Sequence, residues 1–235
     1  MIFLKQTIDY FGLLLSITIL LPAVFAWLIS YLTNTAGSII SEKFGSHFYL
    51  VISSIGVIIH ELSHLIMALL FGHHIENFRL LQLPKNGQVG FVTHSANPKN
   101  PWQAFGNLLI GFAPMIGNSL TIYLLTRYLQ PNVFYLQVSF NWQLLYWLLI
   151  VFSLSLGIGL SHEDFENSMQ GMWIAILLLI IAALTLQLTH IILIDRLFTF
   201  IQQEASLFVI ALAIAVIDFL IAKVITFFLT TFAII

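Results

Sequence analysis

Hydrophobic positions in this chain come in long unbroken runs, not in the alternating or every-third-or-fourth patterns of a water-soluble fold. A helix needs an apolar run of about 20 residues to cross the hydrocarbon core of a bilayer. Six runs predict six transmembrane helices: 10–32 with a kink at Pro22, then 48–71, 102–127, 141–160, 172–194 and 206–231. Only the connection between the second and third runs has a pattern of its own. Apolar-rich stretches 75–83 and 88–94 flank Pro84-Lys85-Asn86-Gly87, a turn sequence, so a β-hairpin is expected there. Two prolines and two asparagines in 95–101 then end it before the third helix. The expected fold class is an all-α polytopic membrane protein, with about six transmembrane helices and a small β-hairpin between the second and third. Residues 1–235 read as a single integral membrane domain, because no polar stretch is long enough for a soluble one and no repeat is visible. The first run lacks a small-residue cleavage site and is read as a retained helix.

Composition sharpens this. Of the 235 residues 60% are hydrophobic and 8% charged, against about 25% charged in average soluble domains. The mean hydropathy is +1.00. There is too little polar surface to cover a soluble globule, and too much apolar mass for a disordered chain. Cysteine is absent, which removes disulfides, thiolate catalysis and cysteine ligands and leaves His, Asp and Glu to hold any metal. A net charge of −2 offers no basic face for nucleic acid, so the expected surroundings are the lipid bilayer of a cell membrane. With six crossings, Lys5, Arg79, Lys85 and Lys99 fall on the side of both termini and Lys43, Arg127 and Arg196 on the other. That imbalance favours cytoplasmic termini.

The second run contains His60-Glu61-Leu62-Ser63-His64. On a helix, positions i and i+4 share a face, so both imidazoles can reach one metal ion. Glu61 is then placed as general base toward a water on that metal. Zinc suits two nitrogen ligands with a position left for water, and lowers that water's pKa toward ~7. A chance occurrence of the pattern in a chain of this composition is on the order of 1 in 100. Three ionisable residues at membrane depth are costly, each roughly 2.5–3.5 kcal/mol on insertion scales, unless something such as a metal compensates them. Two histidines leave zinc one protein ligand short. The nearest source is the stretch Ser161-His162-Glu163-Asp164-Phe165-Glu166, read as a loop after the fourth helix. It holds three of the ten acidic residues and no Lys or Arg. On chemistry alone His162 and Glu163 are rival ligands within it.

At these residues the chain resembles the site-2 protease group of intramembrane zinc metalloproteases, in particular the compact bacterial members without a PDZ domain. His60-Glu61-Leu62-Ser63-His64 in a transmembrane helix carries the likeness. Phe71-Gly72-His73 with Gly90-Phe91-Val92 looks like that group's hairpin, and Gly111-Phe112-Ala113-Pro114 through Asn118 its third-helix motif. Ser161 through Asp164, followed by Ser168 and Gly171, looks like its Ser-x-x-Asp segment. Two departures stand out: Leu160 replaces a proline common before the serine, and Asn118 lies four residues after Pro114 instead of three. The resemblance implies a protease core over about 48–171 with flanking helices 10–32, 172–194 and 206–231. It implies one Zn2+ per chain on His60, His64 and Asp164, Glu61 as general base, and Asn118 holding the substrate backbone or the developing oxyanion. A bacterial cell membrane and a membrane protein or membrane-bound peptide as substrate follow from the same likeness.

The chemistry so expected is hydrolysis of a peptide bond at or within the bilayer. A substrate helix must unwind to be cut, and a sheet edge in the hairpin, at Val92, is the candidate to hold the extended strand by β-addition. Asn107, Asn118 and Ser119 either line a water-filled cavity or serve as interhelical hydrogen-bond partners. His73 and His74 read as headgroup-level residues, His47 and His94 as surface residues, and His190 as an interhelical donor. Asp218 and Lys223, five apart, are poorly spaced for a helical ion pair. The rival readings are a catalytically inactive protease-fold protein acting as a binding or chaperone-like partner, a di-iron hydroxylase, and a transporter. The second lacks the further histidine clusters it would need, and the third rests on Asp218 and Lys223 alone.

Overall fold

The computed structural model of the chain describes residues 2–84, 88–97, 99–135, 137, 139–189 and 194–231. The first helical run is α1 (Ile2–Leu15), a π-turn (Ser16–Leu20) and α2 (Leu21–Phe44). It does not break at the expected kink. Pro22 has no N–H to give, and the chain absorbs the loss just upstream, where the Leu21 N–H reaches back five residues to the Ser16 carbonyl. The apolar run Phe3–Phe44 is 42 residues, or about 63 Å at helical rise. It is thus longer at both ends than the expected 10–32.

Gly45, at φ 88°, turns the chain into α3 (Ser46–Leu70). A left-handed conformation of this kind suits a residue without a Cβ. The hairpin follows as expected, but shorter: β1 (His74–Arg79) pairs antiparallel with β2 (Phe91–Ser95), with an irregularity at Glu76. The Gln82 N–H donates to the Val89 carbonyl at 2.8 Å and carries the pairing toward the turn. Lys85, Asn86 and Gly87 of the expected turn lie outside the described residues, as does His190. Then come α4 (Pro101–Leu129), capped by the Asn100 side chain, a 3-10 turn (Pro131–Tyr135), and α5 (Trp142–Leu156).

Here the structure departs most from the expectation. Helix α5 has only 15 residues, about 22 Å, and stops at Leu156 instead of continuing to 160. Gly157–Ser161 is non-helical, and α6 (His162–Thr189) begins inside the stretch expected to be a loop. Among the described residues five helices are long and apolar enough to cross a membrane, and α5, in the place of the expected fourth, is a shorter apolar helix. The fold is an all-α polytopic membrane protein with a small two-stranded sheet. The break is sealed by protein: the Leu160 N–H donates to Ser30 Oγ and its carbonyl accepts from Asn34 Nδ2, both on α2. Irregular backbone at membrane depth requires such partners. Last comes α7 (Ile194–Thr231).

Close helix contacts fix where the break sits. Gly56 on α3 meets Ser153 and Gly157 so closely that a Cβ would strike their backbone. Gly111 on α4 meets Asp164 and Ser168 in the same way, and Gly171 meets Ala104 and Leu108. Small residues at these points let the helices approach to backbone contact, as membrane bundles require. A core of Ala26, Ile29, Met115, Leu154, Ile158 and Ala215, among others, joins α2, α4, α5, the break and α7.

Candidate metal centre

His60, Glu61 and His64 lie on α3, and the two imidazoles stand a turn apart with ring centroids 4.9 Å from each other. Each ring is held from behind. His60 Nδ1 is 2.9 Å from the Gly157 carbonyl oxygen, and His64 Nδ1 is 2.9 Å from that of Ile110. A carbonyl only accepts, so each Nδ1 carries a proton, and in the neutral ring each Nε2 then presents a lone pair.

Each carbonyl lacks a helical N–H partner, for a different reason. Ile110 sits four residues before Pro114, which has no N–H to close the helical bond. Gly157 is the C-cap of α5, where the last carbonyls of a helix lose their partners. Asn118 Nδ2 also donates to the Gly157 oxygen, at 3.0 Å, and to that of Pro114, at 3.2 Å. Asn118 is fully buried, and its Oδ1 has no partner among the described residues. It stands behind His60.

Asp164 arrives from the first turn of α6. The Ser161 N–H donates to Asp164 Oδ2 at 2.7 Å and the Asp164 N–H to Ser161 Oγ at 3.1 Å, a reciprocal cap that fixes the carboxylate. Asp164 Oδ1 is 2.9 Å from His64 Nε2, Oδ2 is 3.6 Å from His60 Nε2, and the two Nε2 atoms are 3.3 Å apart. With both rings neutral, two lone-pair nitrogens and a carboxylate converge here. They form a group that could hold a metal ion, with one ligand atom from each residue and all of these within 4.8 Å of one another. The rival ligands lie elsewhere. His162 pairs with Glu166 at 3.1 Å in an exposed contact, and Glu163 is an exposed residue lining the adjoining cavity.

That cavity is about 330 Å³. His64 and Asp164 border it, Val92, Thr93 and His94 line it along β2, and Glu163, Glu166, Asn167 and Gln170 along α6. Alternate residues of a strand face opposite ways, so three consecutive lining residues mean that the cavity runs along the strand's edge. Glu61 is buried under the approach to β2: a Cβ on Gly90 would come within 2.7 Å of Glu61 Cγ and 3.1 Å of Val57.

Of the remaining polar residues, Asn107 donates to Gln170 Oε1 at 3.3 Å, an interhelical bond from α4 to α6. Asp218 is buried on α7 with Oδ2 unpartnered among the described residues, while Lys223 lies over the Phe219 ring. His47 and His74 are exposed as expected. His73 and His94 correct the sequence reading. His73 is buried, His94 is half-buried, and their Nδ1 atoms are 3.0 Å apart. Burial first, then the neighbouring His73 and His64, pushes His94 down to about 4. No spacing rule pairs residues 21 apart; the register sets His94 opposite Ile75, and His73, two residues earlier, reaches it diagonally.

Comparison with family models, curated proteins and solved structures gives no match. Function has to be read from the chain's own residues.

Proposed function

We propose that this protein is an intramembrane zinc metalloprotease of the site-2 protease type, acting on a membrane protein or membrane-bound peptide. The observation that carries the reading is the convergence of His60 Nε2, His64 Nε2 and the Asp164 carboxylate, each held from behind, beside a buried glutamate and a cavity edged by a strand. The donor set fits zinc. Ligands about 2.0–2.1 Å from a tetrahedral zinc stand about 3.3 Å from one another; the two Nε2 atoms are 3.3 Å apart, and the carboxylate offers one oxygen 2.9 Å from His64 and the other 3.6 Å from His60. Both histidines also have the backbone partner on Nδ1 that orients metal-binding imidazoles.

Zinc, when bound, supplies a Lewis acid that acidifies water and polarises a carbonyl. The rest of the chemistry belongs to the chain. Glu61 takes a proton from the attacking water and returns it to the leaving amine. The outer edge of β2, at Val92, offers main-chain partners to an extended substrate segment beside the ligands. Asn118 acts at one remove, by steadying the carbonyl that orients His60.

Two measurements test this. Elemental analysis of detergent-purified protein should find about one zinc per chain, lost or much reduced in Asp164→Ala. Glu61→Gln should keep the zinc and lose cleavage of helical membrane peptides reconstituted in liposomes. Zinc without Glu61-dependent cleavage would favour the inactive, substrate-holding alternative, and a wild type that takes up no zinc would sink the proposal.

A further inference from the structure

The pair His73–His94 belongs to a longer chain of hydrogen bonds whose direction can be assigned from one end. His73 Nε2 lies 2.9 Å from the Gln103 carbonyl, which only accepts, so Nε2 carries the proton. In the neutral ring Nδ1 is then an acceptor, and His94 Nδ1, 3.0 Å away, must donate to it. That leaves His94 Nε2 with a lone pair, and Asn167 Nδ2 is 3.2 Å from it. Every donor meets an acceptor when both rings are neutral. The chain runs from α6 through β2 and the residue following Gly72 to the start of α4.

Its position gives it a use. Among the described residues, His94 makes the side-chain hydrogen bonds that tie β2 to the helical body. The approach to β2 lies over Glu61 and Val57, and His94 itself lines the cavity that reaches His64 and Asp164. A two-stranded sheet has little stability of its own, so what holds it down decides where it sits. Toward the turn, the hydrogen bonds of Gln82 to the Val89 and Gln88 carbonyls lie within the hairpin and do not reach the bundle.

We infer that the Asn167–His94–His73–Gln103 chain is the latch of the hairpin. It holds β2 down over Glu61, and its release is the step that opens the cavity to an extended polypeptide. His94 is a positioning residue in this scheme, with no part in bond cleavage. The identity of what enters rests on the function proposed above; the latch itself does not.

The absence of native cysteine makes a direct test possible. Val57 is 7% exposed and lies under Gly90, so a thiol in Val57→Cys reports lifting of the hairpin by its rate of reaction with a small methanethiosulfonate. Removing both bonds with His94→Ala should speed labelling on the order of tenfold or more, as two lost hydrogen bonds imply. His94→Asn, which keeps a donor near the place of Nδ1, should label much closer to the parental rate. If His94→Ala does not fold, Asn167→Ala decides, since it removes only the outer bond and should speed labelling severalfold. Parental rates in His94→Ala or Asn167→Ala would overturn the latch. So would equal acceleration by His94→Asn and His94→Ala, which would mean that ring packing and not hydrogen bonding holds the strand. Labelling needs neither zinc nor cleavage, so an active protease could fail this test and an inactive one pass it.

Discussion

Pro114 lies inside α4, where proline ordinarily costs a helix about 3 kcal/mol. Here the defect has a use, because the carbonyl it leaves unpaired is the one that orients His64. Pro114→Ala would restore an N–H at position 114, and that N–H would compete with His64 Nδ1 for the Ile110 oxygen. The expected outcome is a more regular helix, zinc affinity reduced roughly 10–100-fold as for other lost backing partners, and a melting temperature unchanged or raised. Competition with a zinc-chelating dye measures the first and thermal unfolding the last. Loss of stability together with affinity would assign Pro114 to packing instead. Ser161 and Asp164 make the same point about local chemistry. Their three-residue spacing is a helix-start pattern visible in the sequence, and read as one it would have turned the expected loop into the first turn of α6. Without it, Asp164 was separable from His162 and Glu163 only through a family resemblance. With it, Asp164 is the residue of the three whose carboxylate is held in place.

The hairpin is the element whose position sets access to the centre, and its latch has a defined response to acid. His94 faces His73 and, across the cavity, His64, with Glu76 on β1 and Glu163, Asp164 and Glu166 on α6 as the nearby carboxylates. Burial first, then the two histidines, depresses its pKa to about 4 in the closed hairpin, and a lifted strand returns it toward an ordinary value of about 6.5. The closed form therefore binds fewer protons than the open form between those values. Its advantage is complete above about pH 6.5 and declines as pH falls toward 4. A protonated His94 also has no lone pair for Asn167. Labelling of Val57→Cys, taken as a ratio to an exposed Lys99→Cys reference, should accelerate from pH 7.5 to pH 5, and the acceleration should vanish in His94→Asn. A flat ratio in the parental latch would show that His94 does not titrate with opening. The hairpin's existence was legible from its two apolar-rich stretches and the turn sequence between them. Its latch was not, because the pairing of positions 73 and 94 depends on a register that includes the irregularity at Glu76.

At the scale of the whole molecule, the candidate metal centre comes together where the helical path from α5 to α6 is interrupted. Helices α5 and α6 follow α3 in the same sense, first past Gly56 and His60 and then past His64, and the gap at Gly157–Ser161 brings an orphaned carbonyl and a carboxylate to the two histidines. Discontinuous helices serve membrane proteins in this way because their open ends supply partners that intact helices lack. The long helices could be read from apolar length alone, and the histidine pair from its four-residue spacing. The break could not, because Trp142 through Leu160 is one apolar run and hydropathy reads straight through Gly157 and Gly159. What stops α5 is tertiary: Ser30 and Asn34 on α2 take up the Leu160 backbone, and glycine at 56 and 157 allows the backbones to touch. Gly56→Leu tests this dependence, since its side chain would meet backbone at Ser153 and Gly157 with nothing flexible to yield. The Gly157 carbonyl would move away from His60, and zinc content should fall well below one per chain although all three ligands remain. Overpacking of this kind typically costs about 1–3 kcal/mol, so a lower melting temperature should accompany the loss. Gly12→Leu, at a position with open space around it, is the matched control and should change neither. Full zinc binding in Gly56→Leu would mean that the centre assembles without the α3–α5 contact, and that the break is not what builds it.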